Sequence, residues 1–365
     1  MTYFMPTKVY EEQGCVRAHA EELCALGTKA MLVTGRHSAK ACGAQDDVIA
    51  AMDAFDIPYV VFDEVEENPS IETVMKARDA AVKAGADLFI GIGGGSPMDA
   101  AKAIALMAYH KDEAADFLYA GDASAKWYPV VCVPTTCGTG SEVTGVSVLT
   151  IHAKKTKGSI PYRVFPELAL VDGKYLADCP ASVLRNTATD AFCHLCESYI
   201  NAGATDYSRM CALAGLSVWS RSRGFLLGKE EATKERFAEL MRASTLAGMA
   251  IAQTGTSLPH GLSYGLTYAL GVPHGKACGL FQAGYLKEAD PADAETIVTT
   301  AGFDSIDELD VFFREICGAS DVTEDVRETL VRQLLDSPAK LKAAPFPVDE
   351  AVLRRIVESS KGERT

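Results

Sequence analysis

Hydrophobic and polar positions follow two different periodicities along the chain, and the change between them falls near residue 179. Before that point, compact apolar runs alternate with stretches of helical spacing. Such runs are typical of strands buried on both faces of a parallel sheet, with helices as right-handed crossovers. They predict strands at residues 29–34, 59–62, 88–92, 130–133, 146–150 and 168–171, helices at 38–55 and 71–84, and a basic turn at 152–159.

From residue 179 onward, helical spacing dominates and strand patterns almost vanish. We predict helices at 181–200, 205–222, 230–252, 257–270, 275–287, 292–301, 305–317, 322–335 and 348–359. The fold class is therefore a Rossmann-like α/β nucleotide-binding domain at residues 1–178, followed by an all-α domain at residues 179–365.

Composition narrows the class of protein. The 365-residue chain is 48% hydrophobic and 23% charged, which is typical of a soluble globular protein. Its net charge of −14 and its lack of a basic run argue against nucleic acid or an anionic membrane as a partner. No apolar run is long enough to span a bilayer and no signal peptide is visible, so we expect a cytoplasmic protein.

The cysteines fit that expectation. Eleven cysteines are scattered through apolar segments, a pattern of reduced core thiols rather than of a disulfide framework. Cys193 and Cys196 form a CxxC motif. It has no second pair, which argues against a zinc ribbon.

The segment richest in chemistry is residues 259–275, PHGLSYGLTYALGVPHG, with two Pro-His-Gly triplets. A continuous helix would hold His260 and His274 about 21 Å apart. Gly271 and Pro273 break the helical pattern just before His274, so we expect the chain to turn back and bring the two imidazoles together. Taken alone, the pair also fits two hydrogen-bonded histidines at a helix end.

A carboxylate and an imidazole stand at helical spacing upstream. Asp190 and His194 are four residues apart, so on a helix they project from one face. With His260 and His274 they make one aspartate and three histidines, a mixed oxygen and nitrogen set that suits Zn(II) or Fe(II). The alternative, a capping or surface aspartate beside a histidine, is common at this spacing.

Two small-residue turns follow predicted strands. GIGGGSPMDAAK at 91–102 combines glycines with a helix N-terminus, which suits phosphate, although its spacing is neither the Rossmann GxGxxG nor the Walker A motif. PTTCGTGSE at 134–142 offers several hydroxyl groups. Both fall at the sheet edge where open α/β proteins bind nucleotides. The alternatives are a tight strand–helix connection for the first and a Ser/Thr-capped helix start for the second.

Taken together, these residues resemble the iron-containing (group III) alcohol dehydrogenase family. The resemblance covers most of the first 280 residues. Its segments are MPTKVY at 5–10, GGGSPMDAAK at 93–102, PTTCGTGSEVT at 134–144, ELALVD at 167–172, TDAFCH at 189–194, and PHG at 259–261 and 273–275. It implies a dehydroquinate synthase-like architecture with a nucleotide-binding half and a metal-binding half.

The resemblance also assigns roles to individual residues. The implied metal ligands are Asp190, His194, His260 and His274. The implied diphosphate-binding residues are Gly93, Gly94, Gly95 and Ser96, with Asp99 on the nicotinamide side. The implied contacts to the adenine and ribose are Thr135, Thr136 and Thr139, and Lys157 matches a lysine that reaches the nucleotide.

Two departures from the family pattern bear on the chemistry. Where NAD-preferring relatives often carry an acidic residue after the first strand, this chain has Gly35, Arg36 and Ser38, which accept a 2′-phosphate, so we expect NADP(H) in preference to NAD(H). Where many relatives carry a second histidine four residues after the third ligand, this chain has Tyr264. Tyr264 is a candidate catalytic residue that either donates a proton or shapes the pocket.

The function implied is reversible hydride transfer between a nicotinamide and a small alcohol or aldehyde bound at an Fe(II) or Zn(II) centre. The implied assembly is a homodimer or higher homo-oligomer. A dehydroquinate-synthase-type lyase or cyclase is the alternative, and it requires a strongly basic substrate pocket. A non-catalytic nucleotide-binding protein is disfavoured because all four ligand positions are filled.

Overall fold

The computed structural model describes residues 2–154, 156–318, 320 and 322–360. These residues form two compact units, of which one is Met5–Cys179 and the other joins the described residues from Pro180 onward to the short segment ending at Phe4. Across the described ranges, no helix is both long and apolar enough to cross a membrane. The last residues of the predicted helical domain, 361–365, lie outside the described residues.

The first unit is built on a six-stranded parallel sheet with the strand order β1-β8-β5-β4-β2-β3. A separate antiparallel hairpin pairs β6 with β7. The strands are β1 Lys8–Glu11, β2 Ala30–Thr34, β3 Tyr59–Phe62, β4 Leu88–Gly93, β5 Val130–Pro134, β6 Val148–Ile151, β7 Thr156–Ser159 and β8 Leu168–Val171. The predicted parallel sheet is therefore confirmed, except that the strand predicted at 146–150 lies in the antiparallel hairpin and not in the sheet.

Helices cover both faces of this sheet. Along β2, Met31 and Val33 join one apolar cluster while Ala30 and Leu32 join another, because successive side chains of a strand point to opposite faces. The helices of this unit are α1 Cys15–Ala18, α2 Ala20–Cys24, α3 Ser38–Ala41, α4 Ala44–Ala54, α5 Ile71–Ala84 and α6 Gly95–Tyr109. Short 3₁₀ helices lie at Ala115–Tyr119, Ser141–Val143, His152–Lys154 and Gly173–Leu176.

Three details of this unit differ from the sequence prediction. The single helix predicted at 38–55 is two helices, because Gly43 adopts φ 78° between them. The predicted basic turn contains β7, although residue 155 lies outside the described residues. Strand β1 was not predicted, since KVYE is a short, partly exposed edge strand without an apolar run.

The second unit is helical, and its described residues contain no strand. Its helices are α7 Ala181–Tyr199, α8 Asp206–Ser220, α9 Arg223–Leu226, α10 Lys234–Thr254, α11 Leu258–Leu270, α12 His274–Glu288, α13 Pro291–Thr300, α14 Ile306–Cys317, α15 Glu324–Leu335, α16 Pro338–Ala343 and α17 Glu350–Glu358. The predicted helical domain is confirmed, with the short helices α9 and α16 added. Helix α7 packs against α8, α10 and α12, which places its polar residues in the interior.

Candidate active site

The two Pro-His-Gly triplets bracket helix α11 and the turn into α12. Helix α11 ends at Leu270, and Gly271 adopts the left-handed conformation at φ 64°. Pro273 immediately precedes the first residue of α12, His274. The chain reverses over these residues, so the ring centroids of His260 and His274 are 5.3 Å apart.

Helix α7 brings a carboxylate and a third imidazole to the same place. Asp190 Oδ1 lies 3.3 Å from His260 Nε2 and 3.7 Å from His274 Nε2. It lies 4.0 Å from His194 Nε2, and the His194 ring stacks on His260 with centroids 4.3 Å apart. The structure therefore brings together all four metal ligands predicted from the sequence.

Gly275 allows α12 to approach α7 closely enough for this arrangement. A Cβ atom at Gly275 would overlap the backbone carbonyl oxygen of Asn186 and would lie 3.1 Å from the Cβ of Asp190. Only a residue without a side chain permits this approach of two helix backbones. The Gly in the second Pro-His-Gly triplet thus sets the distance between Asp190 and His274.

A further side chain, Cys278, belongs to the cluster and was not predicted. The ligand atoms of Asp190, His260, His274 and Cys278 all lie within 4.8 Å of one another. Cys278 Sγ is 3.8 Å from His274 Nε2. Because Cys278 follows His274 by four residues on α12, helical spacing was a signal available in the sequence.

Two atoms at the centre of the cluster are buried without hydrogen-bond partners. Asp190 and His260 are 3% and 1% exposed. Within the described ranges, neither Asp190 Oδ1 nor His260 Nε2 makes a hydrogen bond, although the two atoms are close. Burying polar atoms unpaired costs free energy, and a cation between them would satisfy both. Carboxylate oxygen with imidazole nitrogen also matches Fe(II) and Zn(II) chemistry, so these residues fit a divalent metal.

Glu197, which was not predicted as a site residue, contacts the Nδ1 atom of His260, on the opposite side of the ring from Asp190. Glu197 is fully buried, and its Oε1 lies 2.5 Å from His260 Nδ1. Its other carboxylate oxygen accepts a hydrogen bond from the Ser257 backbone N–H. A carboxylate behind a histidine fixes the tautomer and the ring orientation, which directs Nε2 toward Asp190. Glu197 lies three residues after His194 on α7, so helical spacing could have indicated it.

The charges of the cluster depend on one another. Burial on its own would raise the pKa of Asp190, but the neighbouring imidazoles, His194 foremost, hold it well below its usual range. Burial lowers the pKa of His194 to about 4. Burial would raise the pKa of the Cys278 thiol, but His260 and His274 lower it to about 7. Burial would lower the pKa of His260 and of His274, but the neighbouring Cys278 and carboxylates raise it. Metals bind carboxylate, neutral imidazole and thiolate, so metal binding would release protons from this cluster.

Replacing Glu197 with glutamine is expected to weaken metal binding by about 10- to 100-fold, the usual range for partners of ligating histidines. Glutamine keeps the size of the side chain but removes the charge that His260 faces. The measurement is chelator competition for the bound metal. The control is Glu288→Gln, which removes a partly buried carboxylate that pairs with Arg355 outside the ligand cluster. Equal affinities for the Glu197→Gln variant and the parent protein would contradict this role.

Tyr264 lies against the outer side of the cluster. Its ring stacks on His274 with centroids 5.7 Å apart and an angle of 12° between the planes. Lys340 Nζ lies 5.5 Å from the Tyr264 ring centroid. Tyr264 therefore contacts one of the predicted ligands directly.

In the α/β unit, the glycine-rich turn joins β4 to α6. Gly94 is the N-cap residue of α6, and no side chain caps this helix. A Cβ atom at Gly94 would lie 3.2 Å from Thr136 Oγ1, and one at Gly95 would lie 2.8 Å from Thr139 Cγ2. The glycine-rich and threonine-rich turns therefore pack directly on each other.

Thr135 links the same two turns through the backbone. Its N–H donates to the Gly93 carbonyl oxygen at 2.8 Å. Gly93 adopts φ 151°, a conformation that favours glycine. The Thr135 hydroxyl is buried, and among the described residues it has no hydrogen-bond partner.

Asp99 is engaged within the protein. Its carboxylate accepts hydrogen bonds from the Ser141 hydroxyl at 2.6 Å and from the Val148 N–H at 2.9 Å. Lys102 is fully buried, lies 3.7 Å from Asp99 Oδ1, and donates to the Ser141 hydroxyl and carbonyl oxygens at 2.7 Å. This network, which we call the Asp99 network, fastens the first turns of α6 to the threonine-rich turn and to β6.

Asn68 connects Lys157 to the start of α6. Its Nζ donates to Asn68 Oδ1 at 2.7 Å, and the Asn68 N–H donates to Ser96 Oγ at 3.0 Å. Burial lowers the pKa of Lys157. Asn68 adopts a positive φ of 59° and was not among the predicted site residues.

The segment after β2 lies at another point of the same sheet edge. Gly35 and the exposed Arg36 follow the strand, and Ser38 is the first residue of α3. On the neighbouring strand, Asp63 follows β3 and accepts a hydrogen bond from Lys40 Nζ at 2.8 Å. Arg36 and Lys40 therefore flank Ser38 in sequence, and Lys40 pairs with Asp63.

An α/β unit with these turns, followed by a helical unit with a buried carboxylate–imidazole cluster, is the architecture of the dehydroquinate synthase-like enzymes. Residues 6–173 match the family model described as iron-containing alcohol dehydrogenase, and residues 185–303 match the C-terminal model of the same family. The chain belongs to the iron-containing alcohol dehydrogenase family.

Individual relatives agree with this membership. The chain is 28% identical to long-chain-alcohol dehydrogenase 1 of Geobacillus thermodenitrificans, over 93% of this chain and 91% of that protein. It is 28% identical to the NADPH-dependent butanol dehydrogenase of Clostridium saccharobutylicum, over 77% and 72% of the two chains. The structure of an iron-containing alcohol dehydrogenase from Thermotoga maritima superposes with a TM-score of 0.90 at 34% identity, covering 98% of this chain and 99% of that chain.

These matches confirm the resemblance, the fold class and the general activity expected from the sequence. The protein is an alcohol dehydrogenase of the iron-containing family. The relatives named above are alcohol dehydrogenases, which favours this activity over the dehydroquinate-synthase-type alternative.

Proposed function

We propose that the protein reduces small uncharged aldehydes with NADPH, and oxidises the corresponding alcohols, at a divalent metal held by Asp190, His260 and His274. His194 is the fourth candidate ligand. The observation that carries the proposal is the convergence of these side chains from α7, α11 and α12 on a centre with unpaired buried atoms.

In the proposed reaction, a bound metal supplies Lewis-acid polarisation of a substrate oxygen, and the nicotinamide exchanges a hydride with the substrate carbon. The protein holds the ligands in fixed orientations. Glu197 faces His260 Nδ1, and the Ser263 hydroxyl lies 3.2 Å from His274 Nδ1, which leaves each Nε2 directed toward Asp190. Asp190 and His260 are buried, which strengthens the electrostatic interactions that the reaction uses, whereas the His274 side chain is 30% exposed.

Tyr264 is a further candidate catalytic residue. Its parallel stacking on His274 supports a role in shaping the substrate pocket beside the metal. Because its ring contacts a proposed ligand, Tyr264 also restricts the orientations open to His274.

The two packed turns of the α/β unit are the proposed nucleotide site. The amides after Gly94 at the start of α6 suit the diphosphate, together with Gly93, Gly95 and Ser96. Thr136 and Thr139 are partly exposed and offer hydroxyl groups to the adenine and ribose. The Thr135 hydroxyl is buried, so Thr135 supports this site through its backbone hydrogen bond to Gly93. The Asn68 contact supports a place for Lys157 beside the same turn, and the Asp99 network supports an indirect role for Asp99 in holding it.

For the cofactor, we propose NADP(H) in preference to NAD(H). Arg36 and Lys40 supply positive charge on either side of Ser38, and Asp63 is already paired with Lys40. The NADPH-dependent butanol dehydrogenase to which the chain is similar also supports this preference.

Replacing Gly35 with aspartate is expected to reverse the preference. A carboxylate there repels a 2′-phosphate and accepts a hydrogen bond from a ribose 2′-hydroxyl. A Cβ at this position would lie 3.3 Å from the Val65 carbonyl oxygen, so the side chain fits with a small shift. The ratio of kcat/KM for NADPH to that for NADH should fall by roughly 10- to 100-fold, the equivalent of about 1.4–3 kcal/mol. Gly35→Ala is the control, and an unchanged ratio would count against this site.

Three further properties are proposed: the substrate class, the compartment and the assembly. The similarity to a butanol dehydrogenase and a long-chain-alcohol dehydrogenase supports alcohols with an uncharged carbon chain as the substrate class. The eleven cysteines form no disulfide within the described part of the chain, which supports a reducing compartment such as the cytoplasm. The predicted homo-oligomer is tested by light scattering of the purified protein.

The function is tested on protein purified without oxygen. We expect about one equivalent of Fe or Zn per chain by elemental analysis, and oxidation of NADPH in the presence of short unbranched aldehydes but not in their absence. Full activity in a metal-free preparation, or no turnover with any aldehyde in the presence of bound metal, would overturn the proposal.

A further inference from the structure

We propose that the Cys278 thiolate is itself a ligand of the metal, which makes the centre a mixed oxygen, nitrogen and sulfur site that prefers Zn(II) to Fe(II). The inference rests on the metal-dependent function proposed above. It changes both the ligand set and the expected metal.

The distances within the cluster fit a tetrahedral site that includes this sulfur. Bond lengths of about 2.0–2.3 Å around a tetrahedral zinc place neighbouring ligand atoms roughly 3.3–3.8 Å apart. Asp190 Oδ1 lies 3.3 Å from His260 Nε2 and 3.7 Å from His274 Nε2, and His274 Nε2 lies 3.8 Å from Cys278 Sγ. Three measured spacings thus fall in the tetrahedral range.

His194 fits this set less well than Cys278. His194 Nε2 is 4.0 Å from Asp190 Oδ1, and His194 is absent from the group of described residues whose ligand atoms all lie within 4.8 Å of one another. Cys278 belongs to that group and is fully buried. Cys278 therefore joins Asp190, His260 and His274 as a candidate ligand of one centre.

The local structure holds the sulfur in place. Cys278 lies one helical turn after His274 in α12, so both side chains project from the same face of one helix. The two unpaired buried atoms, Asp190 Oδ1 and His260 Nε2, face the same centre. Oxygen and nitrogen ligands suit both Fe(II) and Zn(II), and a soft thiolate ligand adds to the preference for Zn(II).

The first test uses cobalt as a spectroscopic substitute for the native metal. The full-length protein is stripped with a chelator and titrated with Co(II), which gives visible absorption for any bound ion and a near-ultraviolet charge-transfer band for a thiolate ligand. We expect the charge-transfer band in the parent protein, in Cys196→Ser and in His194→Ala, and its loss in Cys278→Ser. Cys196 is the matched control because it is a buried cysteine on α7 outside the ligand group.

The outcomes separate this inference from the proposed function. If Co(II) binds and binding is lost in His260→Ala, but the charge-transfer band is absent or survives in Cys278→Ser, the metal site stands and the thiolate ligand is refuted. If Co(II) does not bind at all, both fail. We also expect Cys278→Ser to weaken Zn(II) binding by more than about 100-fold, beyond the range for partners outside the ligand set.

A measurement on the unaltered protein covers the case in which the Cys278 variant does not fold. X-ray absorption of the zinc-loaded parent protein should show one sulfur neighbour at about 2.3 Å. A shell that contains only oxygen and nitrogen, at about 2.0–2.2 Å, would refute the proposal.

Discussion

Replacing His260 with alanine should release the metal and abolish turnover. The Nε2 atom of His260 lies closest to Asp190 Oδ1 among the three histidines, and the side chain is almost completely buried. A Lewis-acid metal supplies several kcal/mol to the transition state, and each 1.4 kcal/mol is a factor of ten in rate. We therefore expect kcat/KM for aldehyde reduction to fall by roughly 10³-fold or more.

The measurements are metal content after gel filtration and steady-state kinetics with NADPH. His110→Ala is the control, because His110 belongs to the α/β unit and accepts a hydrogen bond from the Lys126 backbone. The control should keep the metal of the helical unit. A His260→Ala protein with one equivalent of metal and normal kinetics would show that the cluster is structural.

Replacing Gly275 with alanine should both destabilise the helical unit and impair the metal site. The added methyl group meets the Asn186 carbonyl on α7, and backbone cannot swing aside as the end of a flexible side chain can. Overpacking usually costs about 1–3 kcal/mol, and we expect the upper end of that range because α7 and α12 must separate. Their separation moves Asp190 away from His274, so metal affinity should fall as well.

The free energy of unfolding is measured by denaturant titration, and metal affinity by chelator competition. Gly224→Ala is the matched control, since the nearest atoms to its added methyl group are those of the half-exposed Glu230 side chain, which can move into solvent. Equal stability of the Gly275→Ala and Gly224→Ala proteins would mean that the two helices tolerate a wider spacing.

Most of the architecture followed from the periodicity of apolar residues. Strands β2, β4 and β5 are buried along their whole length, and such strands produce continuous apolar runs. Strands β1 and β7 were not predicted because KVYE and TKGS are short and half-exposed, and because pairing with β8 and β6 stabilises them. Strand β1 pairs with the distant β8, which leaves no local signal, and TKGS of β7 has no apolar residue to show a strand periodicity.

The candidate site was predictable where spacing and turn residues acted together. Gly271 and Pro273 required a chain reversal, which is why His260 and His274 could be expected to meet. Cys278 and Glu197 also stand at helical spacing from proposed ligands. They were not predicted because cysteines are ordinarily core residues and glutamates are ordinarily exposed. The usual role of each residue type therefore counted for more than its spacing from the proposed ligands.

The Asp99 network has a consequence for how a nucleotide would bind. Because hydrogen bonds and a buried ammonium group already join α6, the threonine-rich turn and β6, the receiving surface is shaped before any ligand arrives. Binding then spends little free energy on ordering loops, so more of the interaction energy appears as affinity. Cofactor exchange should accordingly be governed by contacts made and broken rather than by refolding of the turns.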